Sequence, residues 1–327
     1  MNARIVAGLI LSALIGFALL SSRQVVALDF RAFYCSGMAL REGHDPYRTQ
    51  YLRACEAGGT DGSYVQMLST VTLPAPQPTY DIALFSLASL LPFALAKAFW
   101  GALIAAAMFV SALALIRLTN VPPAITLAAL AISLMGISIS LGQIVPLYLA
   151  AACGAALLLK EGKPGWAALA ATFTLLEPHL GLPLCVSLAL WERRSRLPLA
   201  LGAGTLAVLG LACAGWAENL EYFRTVLPLH ALSELDSDGQ LSLSVILHAL
   251  GMADTRAVQI GSLSYLAVNA AGVWAARSAA IRLRSPALIA ALPAATAVVG
   301  GSFMHSTEIV AAVPLALLLV PQPRYRA

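Results

Sequence analysis

The residues able to move protons or hold charge are few, and they gather at the ends of apolar runs. Asp29 follows the run Ile5–Leu20 almost at once, at the head of the mixed stretch LDFRAFYCSGMALREGHDPY. Glu177-Pro178-His179 separates two further apolar stretches, Gln143 follows Gly142 in a short turn, and His305 stands in SFMHSTE near the last run. Carboxylates and imidazoles are the side chains that most often act as general acids and bases. An ionisable group at membrane depth is a functional hypothesis by default. Each also has a plainer reading. Asp29 can be a helix N-cap accepting backbone N–H bonds, worth about 1 kcal/mol. Glu177 can be a polar turn, His179 a cap or a snorkelling side chain, Gln143 a turn residue and His305 an interface residue. His230, Glu234, Asp236 and Asp238 read as an ordinary solvated loop. The Asp236-Ser237-Asp238 spacing offers no third ligand, so no metal site is expected.

The elements that must position these groups are membrane helices. The chain has 327 residues, of which 59% are hydrophobic and 11% charged, whereas a soluble domain of this size carries roughly 25% charged residues. Apolar runs long enough for a hydrocarbon core of about 30 Å recur along it, and the short alternating segments of a β-barrel do not. The expectation is an all-α polytopic membrane protein, a single domain over 1–327, with ten spans at 5–22, 98–116, 124–141, 144–159, 164–176, 180–191, 197–216, 257–276, 286–303 and 306–321. Residues 164–176 and 180–191 are short for crossing. The stretch Ile82–Leu95, broken by Pro92, is placed at the outer interface, because only then does the positive-inside rule hold. Arg4, Arg117, Lys160, Lys163, Arg193, Arg194, Arg196, Arg277, Arg282, Arg284, Arg324 and Arg326 then share the inner side with only Glu161 and Glu192. Both termini fall inside. The outer side collects the 23–97 loop, Gln143, Glu177, His179, the 217–256 loop and His305. The first run can also be read as a signal peptide cleaved near Val25-Val26-Ala27; either way residue 28 onward is outside.

Within the first outer loop, Phe30, Phe33, Tyr34, Gly37 and Met38 recur at helical spacing, with Gly43 placed to end the helix. Cys35 and Cys55 share this loop, where a disulfide is plausible on the oxidising side of a membrane. Cys153, Cys185 and Cys213 sit in apolar runs and read as small buried thiols. The inner loops are short and basic, with neither a GxxxxGK[ST] loop nor a GxGxxG turn, so no nucleotide, nucleic acid or cofactor is expected.

The order of these motifs resembles glycosyltransferase family 87, the DUF2029 group. DFRAFYCSGMALREGHDPY is similar to its first-loop signature. A proline-broken apolar segment (Tyr80–Pro92), Gly142-Gln143, the turn Glu177-Pro178-His179-Leu180-Gly181-Leu182-Pro183, GQLSLSVILHAL (239–250) and SFMHSTEIVAAVP follow in the family's order. The resemblance implies a GT-C helical bundle that transfers a sugar, mannose above all, from a polyprenyl phosphate to a lipid-linked or glycan acceptor. It places the reaction at the outer face of a bacterial inner membrane, with inversion at the anomeric carbon. It implies Asp29 as the base for the acceptor hydroxyl and His305 as the second catalytic residue. Arg31, Arg41, Arg48, His179 and His305 become candidates for the donor phosphate, and Tyr34, Gln143 and Glu177 for other substrate contacts. Family members commonly carry Lys where this chain has Glu177, and a carboxylate repels a phosphate. Two other readings stay open: a transporter or flippase for a lipid-linked substrate, which calls for discontinuous helices and an internal repeat, and a non-catalytic assembly partner.

Overall fold

A computed structural model describes residues 27–57, 75–237 and 239–320. The expected first span at 5–22, the cleavage-site residues Val25 and Val26, Arg4, Arg324, Arg326 and Asp238 lie outside the described residues.

Among the described residues the chain is helical throughout. In order the helices are α1 (Leu28–Arg41), α2 (Thr49–Ala57), α3 (Thr79–Ala88), α4 (Phe93–Thr119), α5 (Pro123–Ile132), α6 (Met135–Leu141), α7 (Val145–Lys160), α8 (Pro164–Thr172), α9 (Pro178–Trp191), α10 (Arg196–Glu221), α11 (Leu227–Ser233), α12 (Leu243–Ala249), α13 (Asp254–Arg282), α14 (Leu288–Thr296) and α15 (Val313–Leu319). A 3-10 turn extends α8 over Phe173–Leu176, and another, Ser306–Ala312, leads into α15. Gln240 and His305 form an isolated antiparallel bridge.

Among the described residues two helical stretches, Phe93–Thr119 and Arg193–Ser233 (the second kinked at Gly215), are long and apolar enough to cross a membrane. The pair α5–α6 would make a third span, bent by 61°. Large apolar side chains cover much of the surface: Ile132 is 80% exposed, Trp216 72% and Phe99 63%. Apolar surface on that scale needs lipid around it. This is a membrane protein.

The chain divides into two compact units. The first takes residues up to Ala105, Ile137–Gln143 and Gly204–His230. Its core is aromatic. Phe30 stacks on Trp100 at 5.5 Å between ring centres, Phe33 on Phe85 at 4.9 Å, and Tyr34 meets Phe93 edge-on at 5.2 Å. Helix α1 ends as the sequence signals: Gly43 takes a left-handed φ of 79°, its N–H bonds the Leu40 carbonyl, and the His44 N–H bonds that of Ala39, the two bonds of a Schellman turn. In α10, Gly215 leaves the helical conformation, which frees carbonyls that the Asn219 amide takes up, at 2.6 Å to Gly215 and 3.2 Å to Gly210.

The second unit holds Ala106–Gly136, Ile144–Ala203 and residues from Ala231 onward. Two of its helices carry internal prolines, Pro183 in α9 and Pro293 in α14. A proline cannot donate to the carbonyl four residues earlier. Those orphaned carbonyls belong to His179 and Ile289, and both are met by hydroxyls: Tyr265 donates to the His179 carbonyl and Ser187 to that of Ile289, each at 2.7 Å. Basic residues expected on the inner side serve helix ends here. The Lys160 ammonium donates to the Arg117 and Leu118 carbonyls, and Arg196 to those of Ala189 and Leu190. Cys153 and Cys185 are buried, whereas Cys213 is exposed on α10, contrary to the reading of all three as buried thiols.

Candidate active site

In the first unit, Asp29 does not occupy the N-cap position. Helix α1 begins at Leu28, with Ala27 preceding it in a left-handed conformation and no side chain capping the end. Asp29 is half-buried in the first turn, where the partial positive charge of the helix start favours an acid. Its helix is clamped from several sides. Tyr34 is buried and its hydroxyl donates to the Leu91 carbonyl at 2.9 Å. Cys35 is joined to Cys55 of α2 by a disulfide, with Cα atoms 5.7 Å apart.

The three candidate arginines of this unit are engaged by backbone and acids. Arg31 is buried, donates to the Glu56 carbonyl at 3.2 Å, and lies over the Phe93 ring at 5.2 Å. Arg41 donates to the Ser89 carbonyl, which closes α3, and lies 3.5 Å from Glu42. Arg48 is the most exposed, 3.0 Å from Asp45 and 3.6 Å from Glu221. Gln143 accepts from the Ser138 hydroxyl at 2.7 Å. Gly142 beside it has φ of 74°, its carbonyl accepts from the Trp100 indole at 2.8 Å, and an added Cβ would press on Phe30 at 2.8 Å. Only glycine meets both conditions at little cost.

The second unit gathers the remaining candidates into one acid–imidazole cluster. Glu177 breaks the chain between the 3-10 turn and α9, and both it and Glu308 are buried. His179 follows on the first turn of α9, with Nε2 3.1 Å from Glu308 Oε2 and Nδ1 3.9 Å from Glu177 Oε2. Gly181, one turn into α9, packs so tightly on the Thr174 carbonyl that a Cβ would overlap it. His305 stands at the head of the last 3-10 turn in an extended conformation. Its backbone N–H donates to Glu308 Oε2 at 3.2 Å, its Nδ1 is 3.4 Å from Glu308 Oε1, and its Nε2 is 3.7 Å from Glu234. The reciprocal bond, from the Glu308 backbone N–H to the His305 side chain, completes a capping box with histidine in the cap position.

A strap from far along the chain holds this arrangement. The Leu241 N–H donates to the Met304 carbonyl and the Ser306 N–H to that of Gly239, both at 2.8 Å. The buried Gln240 side chain accepts from the Met304 N–H at 2.6 Å and donates to Glu234 Oε2 at 3.2 Å. Glu234 thus faces His305 and Gln240 rather than bulk water, which corrects its reading as a solvated loop residue. Asp236 does remain exposed, 3.1 Å from His248.

Three members of the cluster were not picked out from sequence. Glu308 sits in a stretch that reads as the start of an apolar span, yet its spacing from His305 is that of a capping box. Glu234 and Gln240 carry no local signal, since His305 lies 71 residues after the first and Met304 lies 64 after the second. The cluster combines three carboxylates with two imidazoles. Such a group suits proton handling and hydroxyl recognition better than it suits an anion.

The model of glycosyltransferase family 87 matches residues 78–307 of the chain. Glu177, His179, Glu234, Gln240 and His305 fall within the matched stretch, whereas Asp29 lies before it and Glu308 one residue after. No curated protein and no solved structure matches the chain.

Proposed function

The chain belongs to glycosyltransferase family 87, and from that premise we propose a particular donor, acceptor and chemistry for it. An enzyme of this family joins a sugar from a donor to an acceptor. The proposed donor is a polyprenyl-phosphate sugar, mannose first, and the acceptor a lipid-linked or other glycan. The reaction is placed at the outer face of a bacterial inner membrane, in a GT-C bundle of about ten spans. The observation that carries this reading is the acid–imidazole cluster around Glu308, lodged in a chain that exposes many large apolar side chains.

In the proposed step the acceptor hydroxyl attacks the anomeric carbon from the face opposite the phosphate. The new C–O bond forms as the bond to the phosphate oxygen breaks, and the phosphate leaves with that electron pair. Asp29 takes the hydroxyl proton, a task for which a carboxylate at a helix start is suited. His305 is assigned to recognition of a sugar hydroxyl rather than of the donor phosphate, because its carboxylate neighbours would repel a phosphate. Among the residues expected to hold the donor phosphate, Arg41 and Arg48 retain exposed guanidinium surface. Arg31 is turned to the Glu56 carbonyl and the Phe93 ring.

The test is transfer from polyprenyl-phosphate-mannose in membranes holding equal amounts of wild type and Asp29→Asn. Loss of a general base costs about 10²–10⁴-fold, so the variant should fall by at least 100-fold. Equal rates would remove Asp29 from the mechanism. Transfer from a nucleotide sugar but not from the lipid donor would overturn the donor class.

A further inference from the structure

We propose that the basic end of the second unit binds the headgroup of an anionic phospholipid, with Arg193, Arg194 and Arg277 on its phosphate and Trp274 at the border with its acyl chains. This inference goes beyond sugar transfer and does not depend on it. Helices α9 and α13 bring their C-terminal segments together there. Trp191 is the last residue of α9, and its indole N–H donates to the Val273 carbonyl of α13 at 2.7 Å. Its ring meets Trp274 edge-on at 5.6 Å, and the Arg277 guanidinium lies over it at 5.1 Å. Stacking of this kind holds a guanidinium in place and leaves its N–H groups available. Trp274 and Arg277 share one face of α13, three residues apart, and both are exposed, Trp274 by 71%.

Beyond Trp191 the chain makes a 3-10 turn, Arg193–Ser195, whose backbone is tied down. The Glu192 carboxylate accepts from the Arg194 backbone N–H at 3.2 Å, and the buried Ser195 hydroxyl donates to the Pro164 carbonyl at the head of α8 at 3.0 Å. Arg193 and Arg194 stay exposed on this turn. What these cations lack is an acid. Among the described residues no carboxylate lies within ion-pair distance of the Arg193, Arg194 or Arg277 guanidinium. The two acids expected on the same side are already used, Glu192 by that backbone N–H and Glu161 by Lys163 at 2.7 Å. A helix end favours a cation through its dipole, but the dipole gives no role to the exposed indole beside it. Guanidinium groups pair bidentately with phosphate oxygens, and indoles settle at the headgroup level of a bilayer. A phospholipid offers both partners in one molecule, and basic clusters beside membrane helices attract those with net negative charge.

The test titrates the full-length protein in detergent micelles with phosphatidylglycerol, and with phosphatidylcholine as the zwitterionic reference, and reads bound lipid by native mass spectrometry. Each arginine beside a headgroup contributes about 5-fold in affinity. The wild type should therefore prefer phosphatidylglycerol by about 10-fold or more. Arg277→Gln should weaken phosphatidylglycerol about 5-fold, and the double variant with Arg194→Gln about 25-fold, with phosphatidylcholine unchanged. Arg256→Gln, in the first turn of the same helix α13, should bind both lipids as the wild type does. If Arg277→Gln fails to fold without its stacking on Trp191, the pair Arg193→Gln and Arg194→Gln replaces it, with about 25-fold expected. Equal affinity for the two lipids would overturn the proposal, as would a loss in Arg256→Gln as large as that in the tested arginines. Displacement of the lipid by inorganic phosphate would assign the arginines to a soluble anion and overturn it too. None of these readouts uses sugar transfer, so the proposed function stands or falls separately.

Discussion

Cations meet backbone carbonyls in both units, but only the second gathers carboxylates and imidazoles into one cluster among the described residues. In the first, cationic side chains are turned onto backbone carbonyls: Arg31 to Glu56 in the last turn of α2, and Arg41 to Ser89 at the close of α3. Carbonyls at a helix end are the groups left unpaired by the helix itself, and a cation there also meets the negative end of its dipole. These charges stabilise the first-loop helices whatever the substrate does. In the second unit Lys160 and Arg196 also meet helix-end carbonyls, and carboxylates and imidazoles contact one another. The buried Glu177 and Glu308 lie beside His179 and His305, and the proline gaps are met by neutral hydroxyls. Contacts of the first kind serve the fold, and those of the second kind are the ones the proposed chemistry draws on.

Mutations can break or sharpen that contrast, and the largest effect is expected at Gly181. Gly181→Val would drive a branched side chain into the Thr174 carbonyl. Over-packing against backbone costs about 3 kcal/mol or more, and α9 carries His179. Thermal unfolding in detergent should show the loss, together with disappearance of the His179 and His305 imidazole signals. A variant of native stability that keeps both signals would show that α9 does not hold the cluster.

A smaller effect, about 1–2 kcal/mol, is expected for Tyr265→Phe, which leaves the His179 carbonyl without the hydroxyl that replaces the missing Pro183 N–H. Denaturation midpoints should fall, and the His179 ring resonances should broaden while aromatic signals from the first unit stay fixed. Changes in the first unit alone would contradict the contrast.

The smallest is Tyr47→Phe, at about 1 kcal/mol. Tyr47 donates to the Gln77 carbonyl at 2.9 Å. Burial, reinforced by the neighbouring Tyr222, pushes its phenol far above the ordinary value. The sign is that of an acid whose folded value is raised: its contribution is complete below the unfolded value near 10 and fades only as pH rises beyond it. The penalty should therefore be flat from pH 5 to pH 9. A penalty that varies across that window would place a titrating group inside the first unit's core.

Much of the first unit was legible in the sequence because its signals are local. The aromatic spacing of α1 and Gly43 at its end need no distant partner. Asp29 was misjudged by two positions as an N-cap, since nothing local distinguishes a cap from a first-turn acid when Ala27 opens the helix. The second unit was legible only in part. His179 and His305 stood out by residue type, and their convergence on one carboxylate did not. Glu308 was hidden by the apolar residues around it, although His-Ser-Thr-Glu has capping-box spacing. Glu234 was hidden by its acidic loop, because a sequence does not show that Gln240 and the backbone around Met304 will shield it. Partners separated by tens of residues leave no periodic trace.

The strap that pairs residues 239–241 with 304–306 bears on when the protein acquires its chemistry during synthesis. Gln240 waits for Met304, 64 residues later. At about 5–20 residues per second, a ribosome takes several seconds to make that interval. Until then the inserted chain has its clamped first-loop helices and no assembled acid–imidazole group. The cluster is therefore among the last features to assemble, and it arrives with the backbone that carries His305.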